Sequence, residues 1–293
     1  MKIIDAHMHY FNVEGFVDVA KRAGYENTAA CWQQICQDNN IAFSVAMGNT
    51  AYTSSRYGGV PPRLIDLAAP YDEERYNQPH NMGYCMGVAS EEITEANAAQ
   101  TAQEFAHYIT QPHCLGIKLY PGYNAVYVND RRHWPLFELA QAYNVPVVIH
   151  TGDTAMPTGL LKYSHPLTVD EAAVNFPGVT FVIAHCGCPW FVDVAEVACK
   201  NANVCIDLSG LVEGNPKPLA LFEQQAGFFR QLHTWLNYMG DYTRVMYGSD
   251  WPLVNIPFYI RLIAQIVPQR HYEDVFYNNA VRIFNKIAPL LKG

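Results

Sequence analysis

Near the start of the chain, Asp5-Ala6-His7-Met8-His9 sets two imidazoles two residues apart at the end of an apolar run. On a β-strand, residues i and i+2 point to the same face, so both rings can reach one ion. With 11 histidines in 293 residues, chance alone supplies about 0.4 H-x-H pairs, so the pair carries little weight by itself. Further along, VVIHTGD carries His150, FVIAHCG carries His185 and MYGSDWP carries Asp250, each polar residue following an apolar run. Three imidazoles and a carboxylate make a nitrogen and oxygen donor set that suits Zn2+ and also accepts Fe2+, Mn2+ or Ni2+. The chemistry such a set supports is attack by a water whose pKa the ion lowers to ~7. Asp250 would orient that water or take its proton, and His185 would polarise the attacked group or act as acid and base.

Residues this far apart in sequence must be gathered by the fold. Short β-rich runs alternate with amphipathic, helix-favouring stretches, the pattern of βα units around a parallel sheet. Eight strands are predicted, at Lys2–Ala6, Ile41–Met47, Tyr84–Ala89, Cys114–Leu119, Val145–Ile149, Val179–Ala184, Asn203–Asp207 and Val245–Gly248. Runs such as VPVVI and VTFVI are continuously apolar, as strands buried on both faces require. Helices are predicted at Glu91–Thr110 with Ser90 as N-cap, at Trp134–Tyr143, at Val192–Lys200, and at Tyr272–Ile287 as the closing helix. The expected architecture is one (β/α)8 barrel, an α/β TIM barrel filling residues 1–293 as a single domain. In a barrel, strand C-termini converge on one mouth, which is where these polar residues fall. The Gly48–Gly83 stretch, with a short helix expected around Arg63–Ala69, reads either as part of that face or as a solvated insertion.

Composition narrows the function classes. The formal net charge is −8 and the basic residues are scattered, so no footprint for phosphate backbones exists and nucleic acid is not an expected partner. No segment nears the ~18 uninterrupted apolar residues of a membrane span, and MKIIDAHMHY does not read as a signal peptide. A cytoplasmic protein acting on a small molecule, with homo-oligomerisation left open, is the expectation. The eight cysteines then read as buried thiols, and Cys186-x-Cys188 lacks a second pair to form a zinc knuckle. G-x-S-x-G, P-loop and G-x-G-x-x-G motifs are absent, which argues against serine hydrolase, NTPase and Rossmann chemistry.

As an ordered set, DAHMH, GIKLYPG, VVIHTGD, VIAHCG and YGSDWP resemble the amidohydrolase superfamily, in its amidohydrolase-related branch. The resemblance spans nearly the whole chain. It implies that His7, His9, His150 and Asp250 are metal ligands and that His185 and Asp250 are catalytic. It also places Lys118 where two-metal members carry a carboxylated lysine; unmodified, Lys118 would instead bind a substrate carboxylate, and one ion is the favoured reading. Asp5 could orient an imidazole or cap the strand end. Around the mouth, Tyr10, Tyr120, Tyr123, Trp190 and Trp251 flank the motifs, and Lys118, Tyr120 and Trp190 are the candidate substrate contacts. Arg56, Arg63, Arg131 and Arg132 lie in predicted loops and could hold an anionic group. Of the histidines outside the motifs, only His165, in the loop after strand five, is a further candidate for the site.

The leading expectation is metal-dependent hydrolysis of an amide, ester or lactone, with Zn2+ as the favoured ion. Nonoxidative decarboxylation of an aromatic or unsaturated acid is the alternative that the same branch implies. A ligand-binding barrel without catalysis is a third reading, disfavoured by the presence of an acid/base histidine beside a full ligand set.

Overall fold

Aliphatic runs too short for helices become the strands. In the computed structural model, which describes residues 1–9, 16–48, 81–216 and 224–291, β1 is Ile3–His9, β2 Ile41–Met47, β3 Met82–Gly87 and β4 Cys114–Leu119. β5 is Val147–Ile149, β6 Phe181–Ile183, β7 Val204–Asp207 and β8 Val245–Met246. All are parallel neighbours in chain order from β1 to β8. Main-chain bonds from Ala6 N to Tyr247 O (3.0 Å) and from His9 N to Trp251 O (2.7 Å) carry the end of the sheet back to its beginning. The (β/α)8 barrel expected from the alternating pattern is the fold found.

Alternation along each strand divides the core in two. Val148, Val182, Leu115, Phe43, Ile4 and Met246 point into the barrel, where Phe284 and Ile287 join them from the C-terminal segment. Ile117, Leu119, Val147, Ile149, Phe181 and Ile206 point outward against the helices. The barrel interior is therefore packed with apolar side chains, not hollow.

Several predicted boundaries shift for identifiable reasons. β5 begins after Pro146, which has no N–H to donate; its carbonyl accepts from Ile117 N at 3.0 Å. β6 ends at Ile183 because His185 takes a left-handed backbone, φ 59°. The predicted Glu91–Thr110 helix is broken. Ser90–Glu92 forms a 3-10 turn, Ile93 is extended and buried, and the α-helix starts at Ala98. Thr94 and Asn97 exchange side-chain to main-chain bonds across the break, the local competition by which such residues displace helix. Ser90 is no cap for the α-helix: its hydroxyl meets His133 Nε2 at 2.9 Å. The predicted closing helix is likewise divided, into a π-turn at Asp274–Asn278, Asn279–Ile283 and, past a non-helical Phe284, Ile287–Leu290. The helix Ala226–Met239, which the sequence reading left unassigned, packs Phe229, Leu232 and Leu236 into the outer core. The expected helix around Arg63–Ala69 lies outside the described residues.

His133 supplies a test of the packing. Its ring is buried, with Nδ1 on Val128 O at 3.0 Å, and burial holds its pKa below 6.5. The folded chain then binds fewer protons than the unfolded chain in acid, so stability present above pH 6.5 is lost as pH falls through that value. Urea unfolding between pH 8 and pH 5 should show this loss, at up to ~1.4 kcal/mol per pH unit for each such imidazole. In His133→Gln the slope should fall by about one proton; an unchanged slope would remove His133 from the account.

Candidate metal centre and active site

Five of the sequence-predicted residues meet at the C-terminal mouth. β1 delivers His7 and His9, the turn after β8 delivers Asp250, and the turn after β6 delivers His185. His150 follows β5. His9 Nε2 lies 3.0 Å and His7 Nε2 3.6 Å from Asp250 Oδ1, and His185 Nδ1 lies 3.8 Å from Asp250 Oδ2. The ligand atoms of His7, His9 and Asp250 all lie within 4.8 Å of one another. His150 stands beside this group, its ring 5.0 Å from that of His185, with Nε2 turned to Asp153 O at 2.9 Å.

Sequence reasoning passed over Asp207, at the end of β7. Its Oδ2 accepts from His7 Nδ1 at 2.8 Å, and its Oδ1 accepts from His185 N, Ser209 N and Ser209 Oγ. With Nδ1 committed as donor, His7 presents the Nε2 lone pair toward Asp250. The same logic reaches His185. Ser209 Oγ donates to Asp207 and so accepts from His185 Nδ1 at 2.9 Å, leaving His185 Nε2 as the basic nitrogen. The signal was present, because Asp207 ends an apolar run just as the noticed residues do. Its absence from the quoted motifs is why it was missed.

Electrostatics at the mouth are those of neutral imidazoles among charged carboxylates. Burial, reinforced by the charge of Lys118, pushes His7 down to about 3. Burial also lowers His150 and His185. For Asp250, burial works toward the neutral form but His185 and His9 outweigh it, holding the carboxyl well below its ordinary range. Lys118 is completely buried at the end of β4, with Nζ 3.5 Å from His7 Nε2, and burial lowers it to about 8.

The donor chemistry fits a divalent ion. Two imidazoles and one carboxylate converge, and among the described residues the buried atoms Asp250 Oδ1 and His9 Nδ1 have no hydrogen-bond partner. The 3.0 Å approach of His9 Nε2 to Oδ1 lacks hydrogen-bond alignment. Left without partners in an apolar surrounding, such atoms are costly.

Unusual backbone conformations bring these groups together. His185 and Asp250 have φ of 59° and 64°, a left-handed conformation that His and Asp tolerate better than most residues. Gly210 leaves the space that they occupy: a Cβ there would stand 2.6 Å from Asp250 Oδ2 and 3.0 Å from His185 Nδ1.

Beside these groups lies an open cavity of about 490 Å3, bordered among the described residues by Tyr123, His150, His185, Leu211, Asp250 and Leu253. Tyr123 tilts on His150 at 4.8 Å, and Tyr120 stacks on it at 6.5 Å. Trp190 packs on His165 at 4.9 Å and Trp251 on Trp32 at 5.0 Å; neither is among the residues bordering the cavity. Arg132 is held by Asp130 and Ile93 O, and Arg131 lies over Trp134. Tyr10, Arg56 and Arg63 lie outside the described residues.

The family model described as Amidohydrolase matches residues 4–286. The chain belongs to the amidohydrolase family. A search of curated proteins finds no match, whereas solved structures are plentiful. An uncharacterised TIM-barrel protein of Bordetella bronchiseptica, 19% identical, aligns over 98% of this chain and 100% of its own with a TM-score of 0.72. A probable 2-pyrone-4,6-dicarboxylic acid hydrolase of Acinetobacter baumannii, with citric acid bound, is 17% identical over 97% and 100% at 0.63. A dihydroxybenzoic acid decarboxylase of a Polaromonas species, with manganese and 2-nitroresorcinol bound, is 14% identical over 97% of each chain at 0.65. At these identities the likeness establishes the barrel, which a probable hydrolase and a decarboxylase share.

Gly210 gives the geometry a direct check. Gly210→Ala, strained at φ 61°, should cost about 1–3 kcal/mol of stability. It should also displace Asp250 and His185. Urea denaturation will read the first effect, and elemental analysis after dialysis should show reduced retention of added Zn2+. Retention equal to that of the wild type would mean that Asp250 is not where the ion is held.

Proposed function

We propose that this amidohydrolase-family protein is a metal-dependent hydrolase of an amide, ester or lactone bond in a small molecule. The observation that carries the reading is the position of Asp250. One of its oxygens faces the Nε2 atoms of His7 and His9, while the other lies 3.8 Å from His185. One carboxylate thus serves both an ion-binding group and an acid/base group.

In this reading His7, His9 and Asp250 hold one divalent ion, for which Zn2+ is the favoured candidate. His150 completes the set through Nδ1, since its Nε2 is engaged by Asp153 O. A divalent ion bound there supplies Lewis acidity and lowers the pKa of water. Asp250, ionised and with one oxygen turned away from the His7 and His9 Nε2 atoms, would take the proton of the attacking water. His185 is the second proton carrier, free to act through Nε2 because Ser209 and Asp207 fix Nδ1. Asp207 holds the His7 ring in its ligating tautomer. Lys118, as an ammonium, has no lone pair for an ion; its charge instead stabilises the oxyanion that develops on the attacked carbonyl. Tyr123, which borders the cavity, and Tyr120, stacked on the same His150, are the proposed substrate contacts; Trp190, the other aromatic candidate, packs on His165 and would need a substrate that extends beyond the cavity.

A second reading is nonoxidative decarboxylation at the same centre. It is favoured by Lys118, a buried cation suited to a carboxylate, and by the manganese-containing decarboxylase of the same fold.

Metal-loaded protein offered panels of lactones, amides and aromatic carboxylates separates the two: acid release marks the hydrolase, CO2 release the decarboxylase. One equivalent of metal is expected by elemental analysis, and undiminished activity in chelator would sink both readings. With a substrate in hand, His185→Asn should lower kcat by ~10²–10⁴ with metal content nearly unchanged. If His185→Asn and Lys118→Ala each release an equivalent, the centre holds two ions and Lys118 is carboxylated.

A further inference from the structure

Asp5 begins the DAHMH motif, yet it touches no imidazole. It is completely buried on β1, and its Oδ1 accepts from two main-chain N–H groups, Ser249 N at 2.9 Å and His7 N at 3.3 Å. One of these donors belongs to His7 itself, and the other immediately precedes Asp250. In return, His7 O accepts from Ser249 N at 3.1 Å and Asp250 N at 2.8 Å. Three of these contacts lock the first strand to the turn after the last one, at the seam where the barrel closes, and the fourth, His7 N to Asp5 Oδ1, fixes the carboxylate on its own strand.

The opposite oxygen is idle. Asp5 Oδ2 is buried with no partner among the described residues. Tyr247, whose carbonyl bonds Ala6 N, also has a buried hydroxyl oxygen without a partner among the described residues, and Ser44, paired with Asp5 across β1 and β2, is set beside the thiol of Cys36. A buried carboxyl with one oxygen unpaired is costly. What it provides is one oxygen that reaches two donors on different strands.

We propose that Asp5 is a positioning residue for the metal centre, holding the main chains of His7 and Asp250 at the separation that their shared ion requires. The inference rests on the metal reading above. Ligand distances tolerate only about ±0.2 Å, and Asp250 has a left-handed backbone, φ 64°, that needs holding from outside the turn. The role belongs to the acceptor atom and not to the charge, so an amide oxygen at the same place should suffice.

The test is Mn2+ titration of wild type, Asp5→Asn and Asp5→Ala, with free Mn2+ counted by its electron paramagnetic resonance signal and folding followed by circular dichroism. Asp5→Asn is expected to bind within about threefold of wild type, and Asp5→Ala about 10–100-fold more weakly, the range for losing a group that orients a ligand. Tight binding by a folded Asp5→Ala overturns the proposal, as does loss of binding in Asp5→Asn. If Asp5→Ala fails to fold, Asp5→Asn still decides, since retained affinity is expected of it alone. A wild type that binds no Mn2+ fails the metal reading itself, a result distinct from any difference among the variants.

Discussion

Asp207 accepts hydrogen bonds from His7 Nδ1, from the main chain of His185, and from both the main chain and hydroxyl of Ser209. These donors come from the ends of β1, β6 and β7, so one carboxylate at the floor of the mouth ties three strands together. The tie also settles which nitrogen of each ring keeps its proton, and hence which lone pairs face the reaction space. The carboxylate is stable at this depth because its donors are fixed in place: burial alone would raise its pKa, but His7, His185 and Ser209 hold it well below the ordinary range. Remove that charge, and His7 loses the partner that aims Nε2, while His185 loses the relay through Ser209.

Much of this was legible in the sequence, and for a physical reason. Parallel strands buried on both faces must be written as continuous apolar runs, and a polar side chain tolerated just past such a run belongs at the barrel mouth. That rule locates His7, His9, His150, His185 and Asp250 together. It applies equally to Asp207, which motif reading overlooked. What sequence could not supply is pairwise geometry. Nothing in VVIHTGD says that His150 turns Nε2 to the carbonyl of Asp153, or that Trp190 leans on His165 instead of bordering the cavity. Helix boundaries failed where short polar side chains compete with the backbone, as at Thr94 and Asn97, and strand ends failed where Pro146 and the left-handed His185 interrupt the ladder.

Stability and chemistry pull against each other here. The mouth concentrates three left-handed backbone positions, at His185, Cys186 and Asp250, with imidazoles of depressed basicity and, among the described residues, buried acceptors without partners. Each is unfavourable for folding and useful for binding an ion. Compensation comes from the layers beneath and around it, where Phe43, Leu115, Val148 and Val182 fill the barrel and the helices cover its outside. The site is thus polar only at its top layer, and the transition to apolar packing takes place within a residue or two along each strand.

Phe284 and Ile287 enter the barrel from the C-terminal segment and pack against its innermost residues. Among the described residues, apolar side chains fill the interior from that plug upward. The open cavity lies at the mouth, so in the proposed reaction substrate would enter and product would leave by the same route. Reactant and product would then share one vestibule in turn, and a product that lingers would compete with the next substrate.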